Sequence, residues 1–372
     1  MHRIVLTTLA VLTLTATLAT PLEADACGAF TPPVTESDTA EVSMKAQKAL
    51  VHIREDSIDV HLQVTATTQL DAFAWYFPVP EGAQLAEGDP DLFGPLAEYI
   101  QPTVTLNHPQ PESSGGIGCG GAVEGRSGDF DSQSPVTVVD AGRIGDYTYE
   151  IVDAESASDL VDWLDANDYQ TPVGSRPLLQ DYIDMGMDFA AVKIAADVEQ
   201  LDREPDTIII NSPREGDTVL YPLLLSSLSA PSVSEVLIYT LADKRYIADA
   251  PFMNAELQDV ADEMAAIHDA TGEATYEEGF DQLTDKNEGR LVVTEYAVDL
   301  EETYRCDEGT PCPYRLQALL DSGSQSYLTR LHLRVPAGKL ADLELYPADT
   351  DDTISASASA LLGQTAKSAV LP

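Results

Sequence analysis

The chain has 372 residues, with 63 Asp and Glu against 20 Lys and Arg and a formal net charge of -43. So large an excess of carboxylates repels nucleic-acid phosphates and anionic membrane surfaces, and no basic stripe offsets it, which excludes a nucleic-acid partner. A hydrophobic fraction of 44% supports a packed core of one large or two moderate domains and excludes a disordered acidic tail. The acidity reads as a solvated surface, with calcium or cationic-ligand binding as the functional alternative.

In chain order, Arg3 and an apolar run from Ile4 to Ala19 lead into Ala24-Asp25-Ala26 and then Cys27. The run is too short to span a bilayer, and Ala-x-Ala is a signal-peptidase pattern, so residues 1–26 are expected to be a signal peptide and the mature chain to be exported. Cys27 at the cut would also suit a lipid anchor, making a lipoprotein the alternative. No Leu stands three residues before it, so plain export to the periplasm, cell surface or medium is expected. A β-rich part over 27–152 comes next. Val51 and Ile53, then Ile58, Val60, Leu62 and Val64, alternate at period two about the turn Glu55-Asp56, with His61, Gln63 and Thr65 on the other face. A third strand, Ala72 to Phe77, ends at Pro78-Val79-Pro80. Glu81 to Pro135 is loop-rich, with Gly, Pro and Ser crowding Pro109 to Gly128. Strands return at Val136–Val139 and Tyr147–Val152, joined by Asp140-Ala141-Gly142.

The α+β part spans 153–348. Ser158 is expected to cap a helix with Leu160, Trp163 and Leu164 on one face, and Pro177 to open another that ends at Gly186. Apolar, β-branched runs at Phe189–Ile194, Thr207–Ile210, Val219–Leu225 and Val236–Leu241 read as strands. A helix is expected from about Asn254 to Thr271 with Gly272 after it, then strands at Arg290–Leu300 and Thr329–Val335. Residues 349–372 form a flexible Ser/Ala-rich tail without a membrane anchor.

Four cysteines in an exported chain read as a disulfide framework. Cys306 and Cys312 flank Asp307-Glu308-Gly309-Thr310-Pro311, a stretch that turns easily, which leaves Cys27 and Cys119 as the second pair. A bridge of that loop length restricts the unfolded chain by roughly 3–5 kcal/mol. A catalytic cysteine is the rival reading, but no His stands in a recognisable partner motif.

Several segments carry a resemblance. They are Cys27-Gly28-Ala29-Phe30, Phe73 to Pro80, Gly118-Cys119-Gly120-Gly121, Ile144-Gly145-Asp146-Tyr147, Leu160 to Tyr169, Tyr182 to Lys193, Tyr221-Pro222-Leu223 and Leu328-Thr329-Arg330-Leu331. In this order, and over most of the mature chain, they resemble the exported bacterial proteins of domain-of-unknown-function family 2330. The resemblance implies export and a shared fold and carries no activity. The chain departs from it in having Thr31-Pro32-Pro33 where a second cysteine would follow Phe30, and in lacking the C-terminal membrane segment of some members. Val51 to Pro80 is also similar to the N-terminal β-sandwich module of inter-alpha-trypsin-inhibitor-type proteins, which would imply a scaffold or matrix-contact role. An ordinary antiparallel sheet ending at a proline accounts for the same residues.

Chemical motifs are sparse. Gly116-Ile117-Gly118-Cys119-Gly120-Gly121 has dinucleotide-site spacing but neither a strand before it nor a helix after it. His52, His61, His108, His268 and His332 lack helical metal-ligand spacing, and Asp129-Phe130-Asp131 and Asp349-Thr350-Asp351-Asp352 lack the rest of a calcium loop. Trp75 and Trp163 read as core. Lys193 and Arg330, lone cations on apolar strands, read as paired with a neighbouring Asp, with anion or carboxylate binding as the alternative.

The expected fold is α+β: an antiparallel β-sandwich-like N-terminal part, a helical insertion, and further, mostly antiparallel strands. The expected function is a non-catalytic envelope or extracellular protein that binds an envelope or extracellular partner, without cofactor or metal. The alternatives are a hydrolase using a carboxylate pair scattered in sequence, and a calcium-stabilised surface module.

Overall fold

The computed structural model describes residues 29–31, 43–67, 74–107, 135–195, 207–228, 232–300, 316, 319–320 and 325–363. The elements are β1 (Ala29–Thr31), β2 (Ser43–Ile53), β3 (Ser57–Thr67), β4 (Ala74–Pro80), β5 (Gln84–Glu87), α1 (Phe93–Tyr99), β6 (Thr103–Asn107), β7 (Val136–Ile144) and β8 (Tyr147–Ala154). Next come α2 (Ala157–Ala166), α3 (Ser175–Asp184), β9 (Met187–Ile194), β10 (Ile208–Pro213), β11 (Val219–Tyr221), β12 (Val233–Ala242), β13 (Tyr246–Ala248) and β14 (Met253–Glu256). The chain continues through α4 (Leu257–Thr271), α5 (Tyr276–Lys286), β15 (Leu291–Asp299), β16 (Tyr327–Pro336), β17 (Leu343–Pro347) and β18 (Ser357–Leu361). This is a mixed α+β fold whose strands are mostly antiparallel.

An eight-stranded sheet in the order β14-β15-β16-β12-β2-β3-β10-β5 lies across a five-stranded sheet ordered β1-β4-β9-β8-β7. The β2–β3 hairpin follows from its period-two alternation: Ala49, Val51, Ile53, Ile58 and Leu62 point together into the core between the sheets, meeting Trp75, Phe77, Val79, Ala190 and Val192. A three-stranded sheet, β11-β17-β13, packs into the same core. The far face of the five-stranded sheet is covered by α2 and α3 through Tyr76, Phe189, Leu160, Leu164 and Leu179. The far face of the eight-stranded sheet is covered by α1 and by the α4–α5 pair. The result is four layers, helix–sheet–sheet–helix, and both large sheets draw strands from either side of residue 153.

Local chemistry corrects several expected boundaries. The N-cap of α2 is Ser156, whose extended backbone lets Oγ accept from the Asp159 N–H at 3.2 Å; Ser158 sits in the first turn. Helix α3 starts at Ser175, with Pro177 inside a first turn whose N–H groups need no intrahelical partner. Asp140 to Gly142 lie within β7, and the hairpin turns instead at Gly145-Asp146, where Gly145 takes φ +51°. Strand β4 runs on through Pro78 and Pro80, tolerated because β1 pairs only with Ala74 to Tyr76 and leaves that end an edge. Asn254 to Glu256, expected to begin a helix, belong instead to β14, which pairs parallel with β15, and α4 starts at Leu257 behind a capping box between Glu256 and Asp259. Val219–Leu225 is strand only as far as Tyr221. The loop-rich zone holds β5, α1 and β6, and Ser357–Leu361, in the expected tail, pairs parallel with β6. Helix α5, capped by Thr275 and Glu278, lies so close to α4 that a Cβ on Gly279 would meet Met264 Cγ at 2.5 Å.

Candidate functional site

Among the described residues, two interior places with polar groups differ in how completely those groups are satisfied. The first lies on the helix-covered face of the eight-stranded sheet. On β16 the alternation Arg330, His332, Arg334 points three basic side chains beneath α1 and α5. Glu295, fully buried at a bulge in β15, accepts from Arg330 Nε at 2.7 Å and lies 2.7 Å from His332 Nδ1, and the Tyr276 hydroxyl donates to it. His332 Nε2 meets Glu235 Oε1 at 3.1 Å, Arg334 Nε donates to Asp281 at 2.8 Å, and Arg330 Nη1 donates to the Ile100 carbonyl at 2.9 Å. Burial disfavours the imidazolium, but the Glu295 and Glu235 carboxylates outweigh it and lift His332 to about 9. Burial likewise opposes the Glu295 carboxylate, yet His332, Arg330 and Tyr276 hold it down at about 2. The stripe is a closed ion network, and Arg330 takes the paired role expected for it.

Farther along the same face, His52 and His61 stand on β2 and β3 within a buried surface; the Gln325 side chain hydrogen-bonds His52, and neither ring nitrogen of His61 has a hydrogen-bond partner among the described residues. Burial, aided by the Arg54 guanidinium, lowers both to about 4, so they are neutral.

The second place lies between the sheets. A cavity of about 350 Å³ is lined by Ile58, Val60 and Leu62 of β3, Phe77 and Val79 of β4, and Ile210 of β10, with Met187, Val219 and Tyr221 also on its wall. Gln47 of β2, 1% exposed, contributes an amide whose oxygen and nitrogen both lack a partner. Glu81, Met185, Glu215 and Thr218, all exposed, lie toward the opening. Large voids are rare in well-packed interiors, and a ligand site is concave, mostly apolar and furnished with a few polar groups. The cavity has that character, and the ion network does not.

The remaining singled-out residues fall elsewhere. Lys193 donates to the Asn167 carbonyl and lies 4.2 Å from the Tyr169 ring centroid, in place of the expected pairing with an Asp; burial lowers its pKa. Trp75 is core against Phe77 at 4.2 Å, and Trp163, half-buried, stacks on Tyr169 at 6.2 Å. Asp351 accepts from the Arg245 backbone N–H at 3.0 Å, and His268 sits in the last turn of α4. No group of three His, Cys, Asp or Glu among the described residues is arranged to hold a metal ion. No helix among them is long and apolar enough to cross a membrane. Residues 1–26, Cys27, Cys119, Cys306, Cys312, His108, Asp129 to Asp131 and the Gly116–Gly121 stretch lie outside the described residues.

Gln47 and the cavity were not visible in the sequence because six separated strands build the walls. The available signal was Gln47 itself, a polar residue in register with Ala49 and Val51 on the apolar face of β2.

Fold and site together define an α+β protein of two facing sheets with an apolar chamber between them. Over residues 21–345 the chain matches the family described as "Uncharacterized protein conserved in bacteria (DUF2330)", and it belongs to that family. No curated protein matches it. Two solved structures of a mutated baculovirus P35 after caspase cleavage are similar at 9% and 7% identity. They cover 55% and 84% of this chain and 72% and 99% of their own, with TM-scores of 0.29 and 0.30, overlaps too low to carry an argument.

Proposed function

We propose that this chain is an exported, non-catalytic binding protein that holds a small apolar ligand between its two large sheets. The observation that carries the reading is the inter-sheet cavity of about 350 Å³, within the size range of small-molecule sites, with the unpartnered Gln47 amide on its wall. An empty apolar void forfeits packing contacts, and a buried amide without partners costs roughly 1–3 kcal/mol. A ligand that fills the first and bonds the second offsets both. Export rests on the apolar leader and Ala24-Asp25-Ala26 ahead of Cys27.

Native mass spectrometry of the protein purified from its own envelope tests this reading. The expected result is a chain beginning at an unmodified Cys27 that carries a non-covalent mass, absent from a folded Leu62→Trp variant whose cavity is filled. A wild-type chain with no bound mass would overturn the binding reading, and a diacylglycerol on Cys27 would replace the free exported form by a lipoprotein.

A carboxylate-pair hydrolase is the second reading, favoured by Asp188. Burial, then the charges of Asp153 and Glu81, push this carboxyl up to about 6, the condition a general acid needs. Turnover of chromogenic esters or glycosides that disappears in Asp188→Asn would replace binding with catalysis.

A further inference from the structure

Behind the apolar cavity lies a second chamber of about 500 Å³, and Glu81, Gly186 and Met187 border both. Its walls come from the turn between β4 and β5, from β5, β7 and β8, and from the end of α3 and the start of β9, where the edges of the two large sheets come together. Asp188, 6% exposed, is its buried acid; it is paired across β4 with Val79 and accepts from the Gly82 N–H. Asp140, half-buried, accepts from the Tyr149 hydroxyl and the Ala141 N–H, both at 2.9 Å. Glu81 and Asp153 are exposed on the rim. Among the described residues, no Lys, Arg or His lines this chamber. A buried carboxylate facing other carboxylates without a cation is an unfavourable arrangement, and a bound positive charge relieves it. Independently, Gln47 offers its unpartnered, fully buried amide on the wall of the adjoining apolar chamber.

Resting on the binding reading above, we infer that the two chambers form one site for an organic cation with an apolar body. The ammonium or guanidinium group lies against Asp188, Asp153 and Glu81, the apolar body lies between the sheets, and its far end reaches the Gln47 amide. An anionic amphiphile is rejected by the same carboxylates, and a neutral one gains only the apolar half of the site.

Calorimetric titration of the full mature chain with decylamine, decanol and decanoate, each below its micelle-forming concentration, tests the inference. Decylamine is expected to bind at least tenfold more tightly than decanol, with decanoate weakest. Asp188→Asn is expected to bring decylamine to within about threefold of decanol. The rim variant Asp153→Asn shows the same trend and carries the test should Asp188→Asn fail to fold. Equal binding of all three ligands, or an amine preference that survives both substitutions, overturns the cationic head group and leaves the cavity reading standing. Binding of none of them to the wild-type chain brings down the cavity reading together with this one.

Discussion

The two faces of the eight-stranded sheet bury polar groups by opposite rules. On the face under α1, α4 and α5, the ionised side chains of β16 each find a countercharge or a carbonyl, so that Glu295, with no exposure at all, stays ionised. On the face toward the second sheet, Gln47 is left without a partner beside a void. Where stability is at stake, desolvation is compensated group by group. Where it is left uncompensated, the surplus is available to a ligand. The His52–His61 pair is an exception that sharpens the contrast: it lies on the compensated face, yet it is accommodated by staying neutral.

That exception makes pH the largest lever. His52 and His61, lowered from 6.5 to about 4, resist the protons that an unfolded chain would take up, so their contribution is complete above pH 6.5 and is lost as pH falls toward 4. The loss is roughly 3 kcal/mol for each. His332, raised to about 9, gives stability that is complete below pH 6.5 and is lost as pH rises through 9. Asp188, raised to about 6, works against the acid-side loss by a smaller amount. Thermal melts from pH 4 to 10 should therefore peak near pH 6.5, and His61→Leu should flatten the acid flank alone. A wild-type melting temperature that is level between pH 6.5 and 4 would contradict the neutral pair.

The next effect breaks the compensated face directly. Glu295→Gln strands Arg330 and the His332 imidazolium in the interior and is expected to cost about 3–5 kcal/mol in urea unfolding. A loss under 1 kcal/mol would mean that the stripe is far better hydrated than its burial implies. The smallest effect belongs to the uncompensated face. Gln47→Leu removes an amide that nothing satisfies, so the ligand-free chain should gain about 1 kcal/mol. A loss of stability there would show that the amide already has a partner.

How much of this was legible in the sequence follows from how local each signal is. Period-two alternation marked β2 and β3, and it also placed His61 and Gln63 together on one face; that the face would be buried depended on Leu92 to Ile100, which read as loop around Gly94 and Pro95. Gly272 marked the end of α4 correctly, with φ +93°. The Thr275-to-Glu278 capping box announces α5, but the helix carries too few apolar residues to mark it by periodicity. The stripe was half legible: Leu331, Leu333 and Val335 alternate with Arg330, His332 and Arg334, but the partners Glu235, Asp281 and Glu295 come from three other elements. The cavity was not legible, since β3, β4, β10 and β11 meet only in the folded sheets.

Strand β2 has a consequence for how the molecule is made. It sits near the middle of the large sheet, pairing antiparallel with β3 just after it and parallel with β12, so that Gln47 lies beside Val236 and His52 beside Leu241. A chain being synthesised from its amino end therefore holds one flank of its central hairpin open until β12 arrives, and the ion stripe waits longer still for β16. Pairings so distant in sequence fold slowly and leave strand edges bare meanwhile. The dense negative charge of the chain serves here as well, keeping unfinished chains apart until the last strands close the sheet.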